Sequence, residues 1–136
     1  MSGTLRFMLR TEIEKLSLTT CYALSQADDQ DKIISNGTST GIIKAFLPVT
    51  ARGLSFGPFY IESSGTLRVY PNSTADAFMI DFTSSVSTDR IVPVTQRGGA
   101  YLASNYPKSF LFVRCHEPNI WQTVNSAGPW TVATSS

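Results

Sequence analysis

Phe59-Tyr-Ile-Glu-Ser-Ser-Gly-Thr-Leu-Arg-Val-Tyr70, with its continuation Ala77-Phe-Met-Ile-Asp-Phe82, sets the fold class of this chain. Two short apolar runs flank Ser63-Ser64-Gly65, where glycine supplies the positive φ that a tight hairpin turn demands. Beyond that turn Leu67 and Val69 alternate with Thr66, Arg68 and Tyr70, the two-residue period of a half-buried strand. After the Pro71-Asn72-Ser73-Thr74 loop, Phe78, Ile80 and Phe82 point one way while Ala77, Met79 and Asp81 point the other. A third strand is therefore expected to return to the same sheet, and an antiparallel sheet follows.

Outward from this centre the punctuation is dense and the segments are short. Ile33-Ile34 leads into the turn signal Asn36-Gly37, and Gly41-Ile-Ile-Lys-Ala-Phe-Leu-Pro-Val49 makes a strand that Pro48 ends or places on an edge. Leu54 and Phe56 approach Gly57-Pro58, expected to be a turn before the hairpin. Downstream, Ser84 to Asp89 is a polar loop, Arg90 to Thr95 a strand broken by Pro93, Gln96-Arg97-Gly98-Gly99 a turn, and Ala100 to Ala103 a further strand. Ser109-Phe-Leu-Phe-Val-Arg-Cys115 is apolar on both of its faces for five residues and so should be covered on both, at the centre of the fold. Asn119 to Val124 and Gly128 to Val132 supply the last strands. Roughly nine strand candidates at ~10-residue spacing fit a mainly β protein, an antiparallel β-sandwich or jelly-roll-like body over 32–136.

Residues 1–31 read differently, as a strand and a helix that serve packing or assembly. Thr4-Leu-Arg-Phe-Met-Leu-Arg10 alternates like an opening strand. Thr11 and Glu14 have the spacing of a capping box, and Ile13, Leu16, Leu24 and Ala27 roughly keep a helical stripe, so one N-terminal helix is expected from about Glu12 to Ala27. The β-branched pair in Leu18-Thr-Thr-Cys-Tyr22 fits a strand as well.

A chain of 136 residues buries roughly two thirds of its unfolded surface, enough for a self-sufficient core. Charged residues are only 15%, below the ~25% of typical globular chains, which suits a surface partly covered by partners. The net charge is +1 and the eleven Lys and Arg are scattered singly, so nothing marks a nucleic-acid surface. No h-region of a signal peptide opens the chain and no run of ~18 apolar residues crosses a bilayer, so it reads as soluble and without membrane insertion. Cys21 and Cys115 sit among apolar neighbours and read as free thiols, and Asn36-Gly-Thr38 and Asn72-Ser-Thr74, though they match the glycosylation sequon, read as turn sequences.

Chemistry is sparse. His116 is the sole histidine, which removes multi-histidine zinc sites; in a strand its neighbours Cys115 and Glu117 point to the opposite face. A hydrolase would have to be built on His116 alone. Asp28-Asp29-Gln30-Asp31 lacks the glycine and closing glutamate of a calcium loop and reads as a solvated loop, and Arg97-Gly98-Gly99 lacks the spacing of a phosphate loop. No metal, cofactor or catalytic group is expected. What remains is a group of aromatics near loops: Tyr101, Tyr106, Trp121 and Trp130, with Arg97 and Asn105 beside them. This mix suits a sugar or a protein partner; the two tryptophans suit a core-closing role equally.

Gly41 to Phe82 resembles the small β-sandwich head domains of phage tail fibres and baseplate receptor-binding proteins. The likeness is carried by Phe46-Leu47-Pro48, then Gly57-Pro58-Phe59, then Tyr60 to Tyr70 and an apolar closing strand to Phe82. The resemblance implies a non-enzymatic virion structural protein, a homotrimer with heads packed about an axis, other virion proteins as neighbours, and a host surface glycan or protein as ligand. The chain carries no collagen-like or heptad shaft, so a capsid decoration protein stands beside this reading, and a monomeric carbohydrate-binding module is the alternative of another class.

Overall fold

The computed structural model describes residues 14–73, 75–81, 91–93 and 101–133. Within them the protein is mainly β, with twelve strands: β1 (Lys15–Ser17), β2 (Tyr22–Ala23), β3 (Ile33–Ser35), β4 (Ile42–Phe46), β5 (Leu54–Tyr60), β6 (Thr66–Tyr70), β7 (Ala77–Met79), β8 (Ile91–Pro93), β9 (Tyr101–Ser104), β10 (Phe110–Glu117), β11 (Ile120–Ala127) and β12 (Thr131–Ala133). They form a seven-stranded sheet, in the order β1-β3-β5-β10-β11-β7-β8, and a five-stranded sheet, β12-β9-β6-β4-β2.

From Lys15 to Tyr70 the chain changes sheet at every connection, odd strands going to the larger sheet and even strands to the smaller. All four ladders among these six strands are parallel. In three of them register partners are about two dozen residues apart, Tyr22 with Ala45, Ala45 with Val69 and Ile34 with Phe59, while β1 and β3 pair over a shorter span, Lys15 with Ile33. Each strand therefore bonds to the next circuit of the chain, not to its sequence neighbour. Antiparallel pairing enters later, in the β10–β11 hairpin, in β5 against β10, and in β6–β9, β9–β12 and β7–β8.

This overturns the expected all-antiparallel sheet and its central hairpin. β5 and β6 flank Ser63-Ser64-Gly65 but lie in different sheets, and β7 pairs in parallel with β11. The link between them is pinned to other circuits: Ile61 N donates to Ser109 O, Glu62 N to Asn36 Oδ1, Ser63 Oγ to Ser39 O and Thr66 N to Gly41 O. Gly65 is not there for a left-handed backbone, since its φ lies outside that region. A Cβ at this position would lie 2.5 Å from Ser39 O and 2.6 Å from Gly41 O, so the circuits close only over a residue without a side chain. Gly57-Pro58, expected as a turn, lies inside β5 with a cis peptide; the β5–β10 register slips opposite it, between Leu111 and Val113, making a bulge.

The helix expected over Glu12 to Ala27 is absent from Glu14 onward, where β1 and β2 run instead. Leu16 and Leu18, two residues apart, follow strand spacing, and the backbone bonds go to distant partners: Leu18 N to Ser35 O and Leu24 N to Phe46 O. These two edge strands thereby join the 1–31 segment to both sheets. The strand expected at Thr4 to Arg10, and with it Thr11 to Ile13, lies outside the described residues.

One hydrophobic core takes side chains from both sheets. Ile34, Phe56, Phe59, Leu111, Val113 and Trp121 come from the larger sheet, and Ile43, Ala45, Leu67, Val69, Leu102 and Val132 from the smaller. The alternation expected in the central stretch holds: Leu67, Val69, Phe78 and Ile80 are buried, and Asp81 is exposed; Phe82 lies outside the described residues. β10 runs at the centre of the larger sheet between β5 and β11.

Candidate functional site

Strand alternation sends Leu67, Val69 and Leu102 into the core and turns Lys44, Phe46, Thr66, Arg68, Tyr70 and Tyr101 to the outer side of the five-stranded sheet. Register then lays them in rows. Phe46 lies opposite Tyr70, and the two rings stack at 5.1 Å; Tyr70 in turn meets Tyr101 at 4.9 Å. In the adjoining row Lys44 lies opposite Arg68, Arg68 opposite Ala103, and Ala103 opposite Thr131. The Arg68 guanidinium lies 4.5 Å from the Tyr101 ring centre and its Nη1 donates to the Tyr70 hydroxyl at 3.1 Å, while Lys44 Nζ lies 5.8 Å from the Tyr70 ring centre. Beside this row a cavity of about 200 Å³ is lined by Thr66, Ala103, Ser104, Asn105, Pro129 and Thr131.

The other outer face is different. On the seven-stranded sheet Ile33, Pro58, Tyr60, Phe110 and Phe112 surround an apolar depression of about 360 Å³. Phe110 and Phe112 meet edge to face at 6.1 Å. Gly57 opens room for them, because a Cβ there would lie 3.2 Å from the Phe112 ring and 2.9 Å from Leu111 O, at a φ of +128°. Two residues beyond Tyr60, Glu62 takes Lys15 at 2.9 Å and a short bond from the Ser35 hydroxyl. Those two donors, the Ser35 hydroxyl first, hold the Glu62 carboxyl below its usual range.

The residues singled out from sequence scatter. Tyr101 joins the ring ladder and Asn105 lines the small cavity, whereas Tyr106 is 62% exposed on the loop beyond β9. Trp121 is fully buried against Phe56 and offers no face to a ligand. Trp130 is also buried, its indole N–H shared between Phe110 O at 2.9 Å and Ala127 O at 3.2 Å. Both tryptophans close the core. Arg97 lies outside the described residues. Sequence reading missed Lys44, Phe46, Arg68 and Tyr70, although a signal existed: Gly41-Ile-Ile-Lys-Ala-Phe46 and Gly65-Thr-Leu-Arg-Val-Tyr70 share one pattern of glycine, cation and ring.

The groups that suggest chemistry sit apart. Cys115 points into the core, where burial pushes its thiol pKa up, and His116 points out, as strand alternation requires. Neither Cys115 nor exposed Cys21 is in a disulfide. The acidic stretch is not wholly solvated: Asp29 is buried and accepts from Ser25 N at 2.7 Å and the Tyr22 hydroxyl at 3.1 Å, with Lys32 at 3.5 Å. It braces the turn between β2 and β3. Among the described residues no group of three His, Cys, Asp or Glu side chains is placed to hold a metal ion, and no helix is long and apolar enough to cross a membrane. Compared with known proteins, the chain matches no protein family, no curated protein and no solved structure.

Proposed function

We propose that this chain is a non-enzymatic structural protein of a virion, a β-sandwich that works as an oligomer, with three copies about an axis in a tail-fibre, baseplate or receptor-binding position. The observation that carries the assembly is β10. Its sequence is that of a strand covered on both faces, yet among the described residues only the face of Leu111, Val113 and Cys115 is fully buried. Phe110 and Phe112 remain half-buried at the apolar depression with Ile33, Pro58 and Tyr60. Contiguous apolar surface of this kind marks an interface. Another copy of the chain is the occupant, because the depression holds no charge and a net charge of +1 sets up little repulsion between copies. The virion assignment rests on the resemblance of Gly41 to Phe82 to phage head domains and on the low charged fraction of 15%.

Light scattering across a dilution series tests this. The expected mass is a multiple of the 14.9 kDa chain, threefold for the trimer, persisting on dilution. Phe112→Asp, which puts a charge into the contact and leaves the inward face of β10 intact, is expected to give a folded monomer. A wild-type monomer at every concentration defeats the proposal, as does a Phe112→Asp protein of unchanged mass.

A further inference from the structure

We propose that the outer face of the five-stranded sheet binds a small acidic saccharide, its carboxylate held by Arg68 and Lys44 and its ring hydroxyls by the adjoining cavity. The site lies on the face opposite the apolar depression and does not depend on the assembly proposed above.

Three observations converge on it. First, among the described residues two cations on neighbouring strands, Lys44 and Arg68, have no carboxylate partner. The ion pairs among the described residues use Lys15 and Lys32, while Lys44 and Arg68 meet only the rings of Tyr70 and Tyr101 and the Tyr70 hydroxyl. Second, Arg68 Nε is shut off from solvent with no acceptor. A donor left without a partner is rare and costly, so the guanidinium keeps hydrogen-bonding capacity that the fold does not use; with Nε covered, a carboxylate would meet it end-on at the terminal nitrogens, one of which already reaches the Tyr70 hydroxyl. The stack on Tyr101 fixes the guanidinium in advance, so little side-chain freedom is lost on binding.

Third, the cavity beside this row has the lining of a sugar site. Thr66, Ser104, Asn105 and Thr131 bring hydroxyls and an amide, and Ala103 and Pro129 bring apolar surface, in a space of about 200 Å³. Ala103 links the two parts: it lines the cavity, and it is the register partner of Arg68 on one side and of Thr131 on the other, so the cation row adjoins the cavity. A pyranose has both a hydroxylated rim and an apolar C–H face, which this mixed lining matches. The volume is below that of drug-sized pockets and suits one sugar ring.

The test is titration of the 15N-labelled chain with glucuronate, glucose and inorganic phosphate, read as amide shifts. Glucuronate is expected to move the amides of Arg68, Ala103, Asn105 and Thr131 saturably, with a Kd on the order of millimolar. Glucose is expected to bind about tenfold more weakly, the value of one charge-assisted contact. Arg68→Gln should remove that tenfold advantage without changing glucose binding, and Thr131→Val should weaken both sugars. If Arg68→Gln perturbs the fold, Lys44→Gln serves instead, with a loss of about threefold for glucuronate alone. The proposal is overturned if glucuronate gives no saturable shift, if glucose or phosphate matches it, or if both cation variants bind glucuronate as the native chain does.

Discussion

Glu62 shows how one residue can tie three circuits of the chain. Its backbone N–H donates to Asn36 Oδ1, and its carboxylate takes Ser35 from β3 and Lys15 from β1. Both carboxylate contacts favour the ionised form, so the folded pKa lies below the ordinary 4.5. A depressed carboxyl contributes stability that is present above its unfolded pKa and is lost as pH falls through the folded value. Urea midpoints should therefore drop more steeply for the native chain than for Glu62→Gln as pH goes from about 5 to about 3. Parallel curves would show that the contact contributes nothing, and its partial exposure, 33% of the side chain, keeps the expected difference small.

The elements that most govern the architecture are the links between sheets, and Gly65 is the clearest test of one. Alanine at this position would drive a Cβ against the carbonyls of Ser39 and Gly41, which are backbone atoms of the neighbouring link and cannot rotate away. Gly65→Ala is expected to lose about 2–3 kcal/mol in chemical denaturation, the range of an overpacked site; a loss below about 0.5 kcal/mol would mean the links are loose. Here, too, is where sequence reading stops. Strand existence was legible, because alternation in Leu67, Val69, Phe78 and Ile80 reports only which side is buried. Partner choice was not: a hairpin and a link between sheets both need a short polar turn between two alternating runs, and what separates them is whether bonds go to the adjacent strand or to one two dozen residues away. The helix failed for a related reason, since the backbone N–H groups of Leu18 and Leu24 go to the carbonyls of Ser35 and Phe46, remote partners that no local window contains. Of the candidate site, Tyr101 and Asn105 were found by residue type, whereas Lys44 and Arg68 become neighbours only through the parallel register.

For the whole molecule, alternation between sheets means that no contiguous half of the chain owns a core. Residues up to Tyr70 contribute to both sheets, and their inward side chains pack with Leu102, Leu111, Trp121 and Val132 from the second half. Unfolding should accordingly be one transition, with tryptophan fluorescence from Trp121 and Trp130 and far-ultraviolet circular dichroism superimposing in urea. Two separated transitions would show that the stacked circuits hold together without β9 to β12. The stack also bears on how such a chain changes in length. Within each sheet a circuit bonds to the circuits beside it, the last of them also to β10 and β9, so duplicating about two dozen residues between Gly41 and Gly65 is expected to insert one more layer into the stack. A second copy of Lys44 and Phe46 would arrive in that layer, lengthening the cation and ring rows together. Growth by whole layers thus lengthens the outer face of the five-stranded sheet without redesigning it.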